Sequence, residues 1–291
     1  MGKYKFDAKK EIENICSFVV DYYKANNLKG AVLGISGGKD SAVVAGLLTK
    51  ALGKENVVGI TMPCNSNEND RKDAILVAEK FGFELLNIDL TPAYNAFIEE
   101  VNKLNLAEPN SKETLNSDIN VKPRLRMSTC YYMAALLSAV RGGTYLVAGT
   151  SNACELYAGY FTKGGDSVHD IATIADFTVD EVIAIGEELG VPDQVIHKVP
   201  SDGLSNMSDE DKMGVKYKDI GKILRNGDVD QNEFDKIDIL HKKSPPKIKY
   251  SSSSTYLFFN NSNNSYVELV ILYSVSIINV SDSNILNIFI L

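Results

Sequence analysis

Two patterns of apolar residues alternate along most of the chain, one typical of helices and one typical of buried strands. Residues 12–23 repeat apolar positions at three- and four-residue steps, which predicts one buried face of an opening helix. Short apolar runs rich in β-branched residues predict strands buried on both faces, at 31–35, 57–61, 84–88 and 145–148. Helical stretches separate these runs, at 41–52, 70–81, 92–104 and 123–141. This alternation predicts a doubly wound parallel sheet in a three-layer α/β/α fold.

The remaining segments predict the limits of that domain. Further helices are expected at about 179–189 and 208–226, whereas 105–120 is polar and is expected to order only over a bound ligand. We expect one α/β domain over 1–246, followed by a Ser-, Asn- and Ile-rich tail at 247–291. The tail's composition favours disorder or out-of-frame coding. Its apolar stretches are broken by polar residues, which disfavours a membrane span.

Composition and net charge limit the classes of protein to which the chain can belong. The chain has 291 residues, 44% hydrophobic and 23% charged, which is ordinary for a globular protein. Its formal net charge of -8 disfavours nucleic acid as a partner, so an anionic ligand needs a local site. The four cysteines form no disulfide framework or zinc motif, and the amino terminus lacks a signal peptide's apolar stretch. These features predict a cytoplasmic protein without a membrane partner.

The most informative motif follows the first predicted strand and opens the next helix. Two adjacent glycines there can accept unusual backbone angles and let N–H groups converge on an anion at the positive end of a helix. An acidic residue after them is suited to holding Mg²⁺. The candidate ATP-binding residues are Gly34, Ile35, Ser36, Gly37, Gly38, Lys39, Asp40 and Ser41.

Two commoner nucleotide motifs are excluded by spacing. A Walker A loop needs Gly where Leu33 stands and Ser or Thr where Asp40 stands, and no G-x-G-x-x-G dinucleotide fingerprint occurs here. The motif resembles instead the pyrophosphate loop of enzymes that cleave ATP between its α and β phosphates. The plainer alternative is a glycine-rich turn in which Asp40 or Ser41 caps the helix.

Four further motifs agree in order with one family. They are G-T-S-N-A-C-E at 149–155, G-Y-F-T-K-G-G-D at 159–166, V-K-P-R-L-R-M at 121–127 and P-S-D-G-L at 200–204. Over roughly residues 5–245 the chain thereby resembles ammonia-dependent NAD synthetase. Such enzymes adenylate the nicotinate carboxylate of deamido-NAD with ATP, release pyrophosphate, and let ammonia displace AMP to give NAD.

The resemblance implies specific roles for individual residues. Asp40 and Glu155 would ligate Mg²⁺, and Thr150 and Ser201 would contact ATP. Residues implied to bind deamido-NAD are Arg124, Lys163, Asp170, His241 and Lys242. Asp40, Lys163 and Asp170 would act at the reacting centre, and Asp166 or Asp170 could accept the proton of ammonium.

Each role has a plainer alternative. Glu155 could be a helix-surface acid, Arg124 could only extend from its helix, and Lys163 could be a solvated loop residue. Asp170 could cap a turn, and His241 and Lys242 could form the polar end of a helix.

The resemblance also implies free ammonia as the nitrogen donor and a homodimer as the assembly. No room is expected beside the α/β domain for an amidase domain that would supply ammonia.

The chain departs from the family pattern at three places. Val179 replaces a usual Lys that reaches ATP, Ala153 replaces a frequent Lys or Arg, and the loop at 205–208 is atypical.

Two alternatives remain. One is an impaired nucleotide-binding homologue, and the other is a different pyrophosphate-loop enzyme, such as a tRNA-modifying or GMP-forming ligase.

Overall fold

The centre of the fold is a sheet of five parallel strands, in a computed structural model that describes residues 6–65, 68–198 and 208–243. The strands lie in the order β3-β2-β1-β4-β5. Their bounds are β1 Leu28–Gly34, β2 Val57–Thr61, β3 Glu84–Asn87, β4 Thr144–Gly149 and β5 Ile171–Ala172. β2 is fully buried, as expected for a strand covered on both faces. The predicted doubly wound parallel fold is confirmed.

Helices connect the strands and follow them. The first five are α1 Ala8–Ala25, α2 Lys39–Leu52, α3 Glu68–Phe81, α4 Thr91–Asn102 and α5 Lys112–Arg141. The next six are α6 Ala153–Ala158, α7 Val179–Leu189, α8 Asp193–Ile196, α9 Asp209–Met213, α10 Tyr217–Leu224 and α11 Gln231–Lys243. A short 3-10 turn, Lys54–Asn56, precedes β2. No helix within the described ranges combines the length and hydrophobicity that crossing a bilayer would need.

Two apolar layers cover the sheet. On one face, α1, α2, α3 and α7 contribute buried side chains such as Val19, Leu47, Val77 and Ile185. On the other face, α5 packs Cys130, Ala134 and Leu137 against the β1, β2 and β4 residues Val32, Ile60 and Val147. A third cluster joins α6, α10 and α11 through residues that include Cys154, Ile220 and Ile237.

Strand order determines where a ligand can bind. The chain runs from β1 outward through β2 and β3, then returns to the other side of β1 as β4. The loops after β1 and β4 therefore diverge at the carboxyl edge of the sheet, where open α/β folds bind ligands. Both candidate motifs follow these two strands.

Two predictions about helices were wrong. α5 begins at Lys112 and not at Pro123, so residues 112–120 of the polar segment belong to this helix. Pro123 lies inside α5, and proline inside a helix removes one backbone hydrogen bond, which made the residue look like a helix start. The helix expected at 208–226 is two helices, because Gly214 ends α9 with a left-handed φ of 70°.

Candidate functional site

The turn between β1 and α2 has the geometry of a candidate anion site. Gly37 has a φ of 77°, and a Cβ at this residue would overlap the backbone carbonyl of Asp70. The N-cap of α2 is Gly38, which offers no side chain to the first N–H groups of the helix. The alternative in which Asp40 or Ser41 caps the helix is therefore wrong. The free helix terminus instead favours a bound anion.

Two serine hydroxyls close this turn. Ser36 Oγ lies 3.1 Å from Ser41 Oγ and accepts a hydrogen bond of 3.2 Å from the Gly38 N–H. Ser41 Oγ in turn donates to the carbonyl oxygen of Gly38 over 3.0 Å. The hydroxyls thus hold the backbone of the loop in a compact shape.

The loop after β4 is hydrogen-bonded directly to the segment that links β1 to α2. Asn152 is the fully buried N-cap of α6, and its Nδ2 donates to Asp40 Oδ1 over 3.1 Å. Thr150 lies in the same loop, between the last residue of β4 and the α6 cap. Two candidate motifs separated by more than a hundred residues therefore meet at one hydrogen bond.

Sequence reasoning missed Asn152, although a signal was available. Its side chain accepts from the N–H of Glu155, and the Glu155 Oε2 accepts from the N–H of Asn152 over 3.1 Å. This reciprocal pair is a capping box, whose spacing of a cap residue and a Glu three positions later is readable in a sequence. Glu155 therefore has a structural role at the helix terminus, as well as the ligand role that the resemblance implies.

Charges around the joined loops are closely coupled. Lys39 is 5% exposed, and its Nζ lies 3.0 Å from Asp40 Oδ2. Burial lowers the pKa of Lys39, but the attraction of Asp40, with smaller contributions from Glu155 and Asp209, raises it overall. Burial, followed by repulsion from Asp40, raises the pKa of Glu155 well above its usual value. Two carboxyl groups that repel each other in a desolvated site favour a bound cation.

The loop after α6 contacts the middle of α5. Arg124 Nε donates to the carbonyl oxygen of Lys163 over 3.1 Å, and Thr162 Oγ1 donates to Asn120 Oδ1 over 2.7 Å. Asp166 Oδ1 accepts from the N–H of Thr162 within the loop. Two of the residues predicted to bind the dinucleotide, Arg124 and Lys163, are thereby brought together, with the Lys163 side chain exposed.

Asp170 is fixed against the sheet. Its Oδ1 accepts from the Tyr131 hydroxyl over 2.9 Å, and its Oδ2 accepts from the Val147 N–H over 2.8 Å. The backbone of Asp170 also pairs with Val147, just before β5. Its carboxylate is therefore oriented by β4 and α5 together.

The last candidate residues lie on α11 or outside the described ranges. The His241 ring stacks on Tyr157 of α6 with centroids 4.1 Å apart, and Lys242 pairs with Asp238 over 2.6 Å. The structure thus gives both residues partners within the same chain. Ser201 lies outside the described residues.

Fold and site together define the class of protein. A parallel α/β sheet whose first strand leads into an S-G-G-K-D-S loop is a nucleotide-binding fold of the adenine nucleotide α-hydrolase type. Within this class the sequence matches the NAD synthase family over residues 11–256. The chain belongs to this family, and the match ends early in the atypical tail.

Relatives in sequence cover three quarters or more of the chain. An NH(3)-dependent NAD(+) synthetase of Carboxydothermus hydrogenoformans is 39% identical over 239 residues, which span 82% of this chain and 94% of that protein. One from Pyrococcus horikoshii is 42% identical over 219 residues, or 75% of this chain and 78% of that protein.

Solved structures share the fold over a similar span. The NMN synthetase of Francisella tularensis has a TM-score of 0.76 at 31% identity, covering 87% of this chain and all of that one. The NH3-dependent NAD synthetase of Campylobacter jejuni, in complex with nitrate, has a TM-score of 0.66 at 30% identity, covering 86% of this chain and all of that one.

The geometry at Gly37 predicts a specific loss of nucleotide binding. A Gly37→Ala substitution adds a Cβ that must displace the Asp70 backbone at a left-handed residue, so we expect ATP affinity to fall at least about tenfold. Isothermal titration calorimetry with a non-hydrolysable ATP analogue measures this change. Gly214→Ala is the matched control, because Gly214 has a φ of 70° with open space around it. Equal ATP affinities of the two variants would contradict the prediction.

Proposed function

We propose that this chain is a ligase that amidates the nicotinate carboxylate of deamido-NAD with free ammonia, consuming ATP. The hydrogen bond between Asp40 and Asn152 carries the proposal, because it joins the phosphate-binding turn to the motif after β4 that is typical of the family. The relatives named as NH(3)-dependent NAD(+) synthetases support it over most of their length.

The reaction has two balanced steps. First, a carboxylate oxygen of the nicotinate attacks the α-phosphorus of ATP, and the bond from that phosphorus to the bridging oxygen of pyrophosphate breaks. Second, the nitrogen of ammonia attacks the activated carbonyl carbon, the bond to the AMP oxygen breaks, and one proton is lost from nitrogen. Adenylation thus converts a poor leaving oxide into AMP.

The residues of the chain would act mainly by alignment and charge stabilisation. N–H groups of the first turn of α2 would hold the departing pyrophosphate. Arg124 and Lys163, joined by their hydrogen bond of 3.1 Å, would hold the dinucleotide. Asp166 or Asp170 would accept the proton from ammonium, and the sheet already orients the Asp170 carboxylate.

The donor set at the joined loops fits Mg²⁺. Asp40 and Glu155 supply carboxylate oxygens in a site where burial and the charge of Asp40 disfavour the ionisation of Glu155. Mg²⁺ commonly binds one or two carboxylates together with substrate phosphates, and no larger cluster of metal-ligating side chains occurs in the described ranges. When bound, the ion would neutralise charge that develops on the pyrophosphate.

A second candidate substrate is a mononucleotide. The similar structure from Francisella tularensis is an NMN synthetase, whose product has the same nicotinamide group without the adenylate half. Nicotinate mononucleotide therefore belongs beside deamido-NAD in any test of substrate choice.

The homodimer that the resemblance implies is supported by an exposed apolar stripe. Tyr132, Leu136 and Val140 follow one another at four-residue steps along α5 and are 68%, 41% and 68% exposed. Phe97 and Val101 on the adjacent α4 are 49% and 43% exposed. An apolar surface of this extent is typical of an interface, and we propose that a second copy of the chain covers it.

The proposed reaction predicts that Asp40→Asn abolishes turnover in a folded protein. The substitution removes a charge that helps to hold the metal and the pyrophosphate, so we expect AMP formation to fall by about 10² to 10³. The purified protein is supplied with ATP, Mg²⁺, ammonium and either deamido-NAD or nicotinate mononucleotide, and AMP and the amide product are quantified.

Asp180→Asn is the matched control for that assay, because Asp180 is the exposed second residue of α7, just as Asp40 is the second residue of α2. Full activity of Asp40→Asn would contradict the proposed site. AMP formation that required tRNA would favour a different pyrophosphate-loop enzyme. Binding of substrates by the wild type without AMP release would favour the impaired homologue.

The two roles of Glu155 can be separated by Glu155→Gln. The amide oxygen can still accept from Asn152 N–H, so the capping box and the fold should persist while the negative charge is lost. We expect the Mg²⁺ concentration for half-maximal AMP formation to rise about tenfold, since one charged ligand is missing. Electron paramagnetic resonance of Mn²⁺ measures metal binding independently of turnover. Unchanged metal dependence would show that Glu155 acts only as a helix cap.

The dimer is tested by adding charge to the exposed stripe. We expect the double variant Tyr132→Lys and Val140→Lys to be monomeric, because two ammonium groups would have to be buried without partners. Sedimentation equilibrium of wild type and variant gives the mass of each. Ile75→Lys, at a residue on α3 that is 39% exposed, is the control and should leave the mass unchanged. A monomeric wild type would refute the proposed assembly.

A further inference from the structure

Lys198 links three elements behind the phosphate-binding turn. It follows α8, and its Nζ lies 2.8 Å from Asp70 Oδ1 and 2.6 Å from Asp73 Oδ2, both on α3. The same Nζ lies 3.4 Å from the carbonyl oxygen of Gly37. The three donors of this ammonium are thus matched by two carboxylates and one carbonyl.

The direction of the Gly37 carbonyl is coupled to the direction of the next N–H group in the loop. In a trans peptide the C=O and the following N–H point in opposite directions, so a donor that holds Gly37 O also directs the N–H of Gly38. That N–H donates to Ser36 Oγ over 3.2 Å, which fixes the peptide at the start of α2. Two consecutive glycines have wide conformational freedom, which a contact at this peptide restricts.

Asp73, one of the two carboxylates that hold Lys198, is itself held in place by a second hydrogen bond. Asp73 is 9% exposed, and its Oδ1 accepts from Gln194 Nε2 over 2.9 Å. Burial raises the pKa of Asp73, but the hydrogen bonds from Lys198 and Gln194 lower it overall. The hydrogen bonds to Asp70 and Asp73 raise the pKa of Lys198 against the opposing effect of burial. Both partners are therefore charged at neutral pH, and the contact is charge-assisted.

We infer that Lys198 is a positioning residue for ATP, which holds the Gly37–Gly38 peptide at the start of α2 so that the N–H groups of the first helical turn face the pyrophosphate. This role rests on the proposed function for the identity of the nucleotide. Neither the sequence motifs nor the family resemblance singled out Lys198, Asp70 or Asp73.

Lys198→Met in the full chain tests the inference. We expect the KM for ATP and the dissociation constant for Mg²⁺ with α,β-methylene-ATP to rise about tenfold or more, because charge-assisted hydrogen bonds are lost. The dissociation constant for deamido-NAD should stay within about twofold, and kcat at saturating ATP should fall less than KM rises. Lys198→Arg, which keeps the charge and the donors, should retain most of the affinity for ATP. Lys236→Met, which removes a lysine paired with Glu233 on α11, is the control.

A double variant separates positioning from a folding defect. Lys198→Met leaves the buried Asp73 without its cation, whereas Lys198→Met combined with Asp73→Asn removes both charges of the pair. If Lys198 positions the loop, the double variant still binds the ATP analogue weakly. Recovery of wild-type affinity in the double variant would overturn the inference, because the loss would then come from the unpaired carboxylate.

Binding of the analogue does not depend on turnover, which keeps the two proposals distinguishable. A wild type that makes no amide product but loses analogue affinity on Lys198→Met would refute the proposed reaction and leave the positioning role intact. An active wild type whose Lys198→Met variant binds the analogue normally would refute the positioning role alone.

Discussion

Parallel pairing of β1 with β4 is the constraint on which the site depends. The register aligns Val32 with Val147, so both strands end at the same edge of the sheet. Neither loop contains a complete site. Only this pairing brings Asn152 within hydrogen-bonding distance of Asp40 and places the α6 amino terminus beside that of α2. The chemistry of the site therefore follows from topology as much as from the motifs themselves.

The site must hold anions in a chain with a net charge of -8. Backbone N–H groups at the start of α2 offer partial positive charge without a cationic side chain. Lys39 and Lys198 add full charges, and each is neutralised by carboxylates within 3.0 Å. An anion at this turn is therefore attracted chiefly by backbone N–H groups within a chain of net negative charge, which suits a small phosphate ligand better than a polyanion.

Elements with a strong hydrophobic period were predictable from the sequence. The bounds of β2 and α7 agree with prediction, and the turn after β1 has the expected strand on one side and helix on the other. α5 was mispredicted because Pro123 usually marks a helix start, while the structure tolerates it inside a helix whose side chains pack against α4 and the sheet. The two-residue β5 had too little sequence to show a period. Lys198 could not be found either, since its partners are more than a hundred residues away in the chain.

Val179 shows how a departure from the family can be matched by its surroundings. It begins α7 and is 8% exposed, in a cluster with Cys154, Tyr217 and Ile220. A lysine whose charge stayed within that cluster would lose hydration, so an apolar residue fits the packing there. The lysine that contacts Asp40 is Lys39 at the start of α2, which is at least as buried but has a carboxylate 3.0 Å away. Burial of a charge is therefore tolerable at residue 39, because the carboxylate of Asp40 supplies the counter-charge.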